Sequence, residues 1–457
     1  MTDPTPTNLD CLEAPEPSWP SATRAWYALF VLLLVLILSV VDRQIITFMV
    51  DPIKSDLGIS DINMSLLMGF AFVAFYMFVG LPIARIADSH SRGLIIGCGI
   101  AVWSLATAAC GLARTGWQLA AGRMGVGMGE ACNAPASFSL LSDYFPPKKL
   151  PTALAVLSMG FYLGSATANI VGSRVVAFAS RWPEIHLPIA GAVKPWQLTF
   201  IIVGLPGLAV AALMATVREP QRRGLLPGHT PSQNGSLIPI REVFKFLFQE
   251  RKVYFPAFAG LGMRFLLTFG LAFWLPTFFT RTYGWTIADA GFAIGMIQFT
   301  AAPLGLLVGG WLAEYYDKRG YADANMRVNL ISTFLMLPTS ILFPLMPTAK
   351  LALVLLAINS FLVSLAPGPA NAALQSITPN QMRAQVTAIY LLIVNLVGGG
   401  MGPVLIAFFT DHVFRSDKSL HYSLALDAAI LAPLACIVFV YGLKPYRESR
   451  IRARSWE

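Results

Sequence analysis

Apolar residues in this chain run in long unbroken blocks, unlike the alternation of a half-buried strand or the stripe of a water-exposed helix. Blocks of about 20 residues, enough to cross a bilayer as a helix, fall near 25–49, 64–87, 94–113, 117–140, 152–179, 196–216, 254–280, 286–313, 327–346, 350–376, 384–410 and 423–443. The pattern predicts an all-α membrane protein with twelve transmembrane helices. Polar residues collect between the blocks. An acidic, proline-containing tail at 1–24 lacks a signal-peptide n-region, a linker occupies 217–252, and a basic tail follows at 444–457. The linker divides the spans six and six, so two six-helix bundles are expected at 25–216 and 253–443. Its last part, 241–252, is patterned as a short amphipathic surface helix.

Composition agrees with this reading. The chain of 457 residues is 56% hydrophobic and 12% charged, against about 25% charged for a soluble domain. The formal net charge of +9 raises the question of nucleic acid, and the loops answer it. With both termini on one side, that side holds 21 Lys and Arg and the other holds 9, while Arg43, Arg123 and Arg264 lie inside spans. This asymmetry is the positive-inside signature, so the expectation is a multi-pass protein of the cell membrane with cytoplasmic termini and no nucleic-acid partner. Cys11, Cys98, Cys110, Cys132 and Cys436 lack metal-ligand spacing, and the five histidines lie in loops or at their edges. No metal, cofactor or enzymatic nucleophile is expected, and any proton chemistry in the membrane falls to carboxylates.

Those carboxylates stand beside buried arginines. Leu119 to Ala134 carries Arg123 and Glu130 inside an apolar run with glycines at 125, 127 and 129. Seven residues place the two charges on one helical face, and the glycines allow a neighbouring helix close. Charges at that depth are costly and survive where they pair, line a cavity or carry substrate and protons. Asp42 and Arg43 lie at a similar level in the first span. Arg264 is mid-depth in the seventh, either satisfied by backbone carbonyls or awaiting an anion. There is also an internal echo: Ala84 to Arg92, after the second span, and Gly310 to Arg319, after the eighth, place an acid and a following base alike, as duplicated transporter halves do.

The six-plus-six layout, this repeated loop and the Leu119, Arg123, Gly127, Gly129, Ala131 pattern resemble the Major Facilitator Superfamily. The loop at 84–92 resembles that family's motif A but departs from it: Ala84, Ser89, Ser91 and Gly93 stand where Gly, Arg, Gly and a base are usual, while Asp88 and Arg92 are kept. Asp42-Arg43, Gly129-Glu130-Ala131, Trp196 to Phe200 and Gly204 to Gly207 resemble the Spinster branch of lipid transporters. Anion:cation symporters share the Asp-Arg pair. The resemblance implies alternating access around a central site, with the first and fourth helices facing the cavity. On it, Asp42 is expected to pair with Arg123 above Glu130, with Asp42 or Glu130 as proton carrier. Arg43, Arg123, Arg264, Asn133, Tyr162, Asn371 and Tyr390 become candidate substrate contacts, and Asp88, Arg92, Glu314, Lys318 and Arg319 candidate gating residues. The expected partners are a small amphipathic anion such as a lysolipid or sphingosine-phosphate-like molecule, protons and membrane lipids, with the chain a monomer. An organic-anion or drug transporter, or a substrate-sensing receptor on the same fold, are the alternatives.

Overall fold

The structure, a computed structural model, describes residues 19–146, 148–182, 184–187, 191–222 and 239–453. Most of the expected tail at 1–24, the middle of the linker and residues 454–457 therefore lie outside the described residues, as do the side chains of Ala84 and Asp88. Among the described residues, eleven helices are long and apolar enough to cross a membrane: Ala22–Phe48, Asp61–Gly80, Arg92–Cys110, Thr152–Ala179, Pro195–Met214, Arg251–Tyr283, Ile287–Lys318, Ala324–Leu345, Ala349–Ser376, Gln385–Phe414 and Asp417–Ala453. Between the third and fourth of these, two shorter helices, Gly116–Glu130 and Asn133–Tyr144, follow one another and occupy the predicted block 117–140. They are counted below as the fourth span, giving ordinals one to twelve. The break falls directly after Glu130.

Local chemistry fixes many of the ends. Ser60, Ser91, Thr115, Thr286 and Thr348 each accept a hydrogen bond from a main-chain N–H in the first turn of the helix that follows. Prolines open new helical segments within the sixth span at Pro206 and the tenth at Pro367. In the eleventh, Pro403 follows a π-helical stretch, Asn395–Met401. A helix covers Ile240–Gln249 in the linker, with Ile240, Phe244 and Phe248 exposed and Val243 buried. A small antiparallel hairpin, Ile185–Leu187 with Gly191–Val193, lies between the fifth and sixth spans.

The termini, the linker and the loops on their side define one face of the bundle, here the terminus face; the opposite side is the far face. The first bundle packs around residues such as Leu29, Trp103 and Leu140. The second has its own cores around Phe439 and Leu431. A further cluster crosses between the bundles, joining Ile46, Phe48 and Met64 to Trp274, Phe278 and Ile294. All of these belong to the far halves of their spans, so the hydrophobic bond between bundles is concentrated at that face.

Candidate functional site

At its centre the fourth span is held by glycine. A Cβ built on Gly127 would lie 2.5 Å from the carbonyl oxygen of Phe72 in the second span, and one on Gly129 would lie 2.6 Å from the main-chain nitrogen of Trp103 in the third. These close approaches carry Arg123 and Glu130 against the first and second spans.

The pairing differs from the expectation that Asp42 meets Arg123. Arg43 Nη2 donates to Glu130 Oε2 at 2.8 Å, and the Ser39 hydroxyl donates to the same oxygen at 2.7 Å. Arg123 instead donates to main-chain carbonyls: Asp42 and Arg43 at 3.3 Å each and Met68 at 3.5 Å. The reason lies in the backbone. The first span tightens to a 3-10 helix at Ile45–Phe48 and the second widens to a π-helix at Leu66–Phe70. Such irregularities divert carbonyls from the regular ladder, and Arg123 takes the three nearby. Asp42 and Arg43 are consecutive, so they point about 100° apart. Arg43 turns to Glu130 and the cavity, whereas Asp42 is fully buried and neither carboxylate oxygen makes a hydrogen bond. The Phe72 ring lies under both guanidinium groups, 4.3 Å from that of Arg43 and 5.5 Å from that of Arg123.

Between the bundles lies a cavity of about 330 Å³, lined mainly by apolar side chains such as Leu261, Phe265, Phe269 and Phe273. Its charged lining groups are Arg43 and Arg264. Arg264 is 4% exposed. It donates to the hydroxyls of Ser332 and Thr333, at 3.0 and 2.8 Å, and to the Val363 carbonyl at 2.8 Å. None of these partners carries charge. At the far end, Gln44, Ser165, Asn169 and Gln298 are hydrogen-bonded across the two bundles, with Ser165 donating to Gln298 at 2.7 Å.

Of the expected contacts, Arg43, Tyr162 and Arg264 line the cavity. The others are placed elsewhere. Arg123 is wholly buried behind Arg43, and Asn133 is buried and accepts from Ser137. Tyr390 is buried against Phe258, and Asn371 is exposed outside the cavity lining. The expected gating residues separate too. Arg92 is buried and joins Asp143 at 2.5 Å and Glu219 at 2.7 Å, all within the first bundle. Glu314 and Lys318 form an exposed pair one turn apart, and Arg319 covers Tyr315.

A lock missing from those expectations closes the far face. Arg281, at the end of the seventh span, donates to Asp51 at 2.6 Å and to Asp61 at 2.8 Å, while Lys54 pairs with Asp61 at 2.5 Å and Asp417 at 2.9 Å. The two Arg281 pairs and Lys54–Asp417 join the two bundles, while Lys54–Asp61 ties the lock within the first. Asp61, Asp411 and Asp417 lie close enough together to invite a metal reading, but Lys54 and Arg281 already supply the positive charge. Below the lock, Ser65 donates to the Pro403 carbonyl at 3.0 Å, and a Cβ on Gly69 would lie 2.3 Å from the Gly399 carbonyl oxygen. The signal open to sequence reading was a set of acids and bases flanking several span ends. Their residues occupy separate loops, so nothing in their order announces the cluster.

Residues 32–403 match the family model described as Major Facilitator Superfamily. The chain is 28% identical to an MFS-type efflux pump of Mycolicibacterium smegmatis, over 94% of this chain and 95% of that one. It is 25% identical to Protein spinster homolog 3 of Danio rerio, over 92% and 85%. Its fold matches, with a TM-score of 0.76 and 24% identity over 95% and 98%, the crystal structure of a bacterial homolog to the human lysosomal transporter Spinster in an inward-facing and unoccupied conformation. The all-α fold and the Spinster-like resemblance read from the sequence are both shown by these matches.

Proposed function

The chain belongs to the Major Facilitator Superfamily, and on that premise we propose that this multi-pass membrane transporter moves an amphipathic anion by proton-coupled alternating access. The observation that carries the reading is Arg264, a buried guanidinium lining a mainly apolar cavity and bonded only to uncharged groups. An uncompensated buried cation is costly. A substrate with an anionic head and an apolar body would satisfy Arg264 and fill the aromatic lining at once. Lysolipids and sphingosine-phosphate-like molecules have this form. A sugar would need dense polar contacts that this lining lacks. The M. smegmatis relative described as an efflux pump favours an amphipathic organic anion or drug as the second reading, and the same cavity suits it.

Glu130 is the proton carrier on this proposal. Deprotonated, it holds Arg43; protonated, it releases Arg43 to join Arg264 on the anion. The far-face lock corresponds to a state open toward the terminus face, which the loop charges assign to the cytoplasm of a cell membrane. Asp88, at the end of the second span, would steady the opposite state by accepting from main-chain amides at the start of the eleventh. The protein acts as a monomer. In proteoliposomes, Arg264→Ala should weaken the apparent affinity for a fluorescent phosphate-bearing lysolipid by roughly 10- to 100-fold, as loss of a charge-assisted hydrogen bond worth about 1.5–3 kcal/mol requires. An uncharged analogue should be affected far less. Equal losses for both would remove Arg264 as the anion contact, and absence of flux for any amphipathic anion would favour a sensing role.

A further inference from the structure

A second polar cavity lies inside the C-terminal bundle, away from the Arg43–Glu130 pair. It has a volume of about 20 Å³ and is lined by Thr268 of the seventh span, Ser340 of the ninth, Asn359 of the tenth and Asp427 of the twelfth, within an apolar shell. Asp427 is 3% exposed and about seven residues into its helix, roughly 10 Å along it. We propose that this cavity binds a sodium ion, with Asp427 and Asn359 as its principal ligands.

The hydrogen bonds around the cavity leave acceptors facing it. Asp427 Oδ1 and Asn359 Oδ1 are both buried without a partner. The Asn359 amide donates through Nδ2 to Ser340 Oγ at 2.9 Å, which turns its carbonyl oxygen away from that serine. The Thr268 hydroxyl spends its proton on the Arg264 carbonyl at 2.9 Å, leaving lone pairs free. Asp427 is the one titratable group lining this cavity. The charged group nearby, Arg264 on the adjoining wall of the seventh span, has its described bonds to Ser332, Thr333, Met336 and Val363. A lone carboxylate in such surroundings demands neutralisation. A bare proton would serve the carboxylate alone. A space that admits one water-sized particle, walled by a carboxylate, an amide oxygen and a hydroxyl, suits a small hard cation with oxygen ligands. The single negative charge selects a monovalent one.

Position gives the site a purpose. Thr268, Leu271, Asn359 and Val363 line both this cavity and the central one. A bound cation would thus stand one layer of side chains from the anion proposed at Arg264, and would set Asn359 and Thr268 in the wall that anion touches. The binding site itself does not depend on the substrate reading.

The test is binding of radioactive sodium to the purified full-length protein in sodium-free, organic-cation buffer with no organic substrate present. Wild type should bind saturably, with displacement by excess sodium but not potassium. Asp427→Asn should reduce binding to background. Asn359→Ala should weaken it by at least roughly tenfold, the lower end of what loss of a supporting group costs a metal site. Glu448→Gln, an exposed acid on the same helix, should change nothing. Variants are compared only where they elute as monodisperse protein, and Asp427→Glu, which keeps the charge, should retain sodium binding if the asparagine variant fails to fold. Absence of saturable sodium binding in wild type, which would leave only a proton or a structural water, overturns the proposal, as does undiminished binding by Asp427→Asn. Because no flux is read, these outcomes are separate from failure of the anion-transport reading.

Discussion

Glu130 uses its two oxygens unequally: Oε2 accepts from both Ser39 and Arg43, whereas Oε1 is buried without a partner. On the proposed mechanism a proton would take this open position and weaken the hold on Arg43. Asp42 has no comparable link to the cavity. Glu130→Gln should therefore abolish the acceleration of uptake by a pH gradient, while Asp42→Asn should keep it; uptake in proteoliposomes at matched and unmatched pH decides, and the reverse result would transfer the proton to Asp42. Depth along the spans was enough to group Asp42, Arg43, Arg123 and Glu130 from the sequence. Their partners were not legible, because pairing depends on helical phase and on where the backbone tightens or widens. The 3-10 turn at Ile45–Phe48 and the π-turn at Leu66–Phe70 have no clear mark in the residues that form them. Asp427 is hidden in the sequence for another reason: it lies four residues inside the block predicted at 423–443, close enough to the end to resemble a solvated loop acid.

The fourth span shows how a helix carries such a site. Its glycines, readable as close-packing positions, put the second and third helices within backbone contact, and Gly127→Val should force the Phe72 carbonyl away. Overpacking costs about 1–3 kcal/mol, so a lower melting temperature and loss of transport are expected together; unchanged thermal stability would show that the neighbouring span yields. The start of the third span is secured by a different device. Burial pushes the Glu219 carboxyl up, but hydrogen bonds from the Gly93 N–H and Arg92 outweigh burial and hold it below the usual glutamate range. A depressed value means that its contribution is present above the ordinary glutamate pKa and fades as pH falls through the folded one. Glu219→Gln should therefore lower thermal stability at pH 7 and make progressively less difference in acid. A gap that widens on acidification would contradict this. Arg92 was legible as a motif position, but its partners were not, since Asp143 and Glu219 belong to other segments. The second bundle repeats the tie with charge reversed: Asp323, before the ninth span, pairs with Arg327 and with Arg447 near the end of the twelfth.

The whole molecule is divided by where its charges cross between bundles. Joining pairs are described at the far face, whereas Arg92–Asp143–Glu219 and Asp323–Arg447 each remain within one half. Arg281 is therefore the residue whose removal should open the far face. Breaking a buried pair costs about 3–5 kcal/mol, and its partner Asp61 is fully buried. Arg281→Ala should increase labelling of single cysteines placed at the far face and reduce it at the terminus face; unchanged labelling would show that apolar packing alone keeps the face shut. Span number and the two halves were legible, because lipid imposes long uniform blocks. The lock was not, because Asp51, Lys54, Asp61, Arg281 and Asp417 look in order like ordinary solvated charges.

Arg264 also has an electrical consequence. With Asp42, Glu130, Arg43 and Arg123 summing to zero and the proposed sodium neutralising Asp427, the empty deprotonated carrier keeps one positive charge beside its cavity; a bound monoanion would cancel it, and the proton taken up by Glu130 would restore it. Alternating access exposes that charge first to one bath and then to the other, so the empty carrier's return must respond to membrane voltage, by at most about 2.3 kcal/mol per 100 mV. The loaded step, with the monoanion and its proton aboard, would carry the same charge the opposite way. Membrane potential would then shift how the carrier divides between its two orientations, cancel over a full cycle, and leave the extent of accumulation untouched.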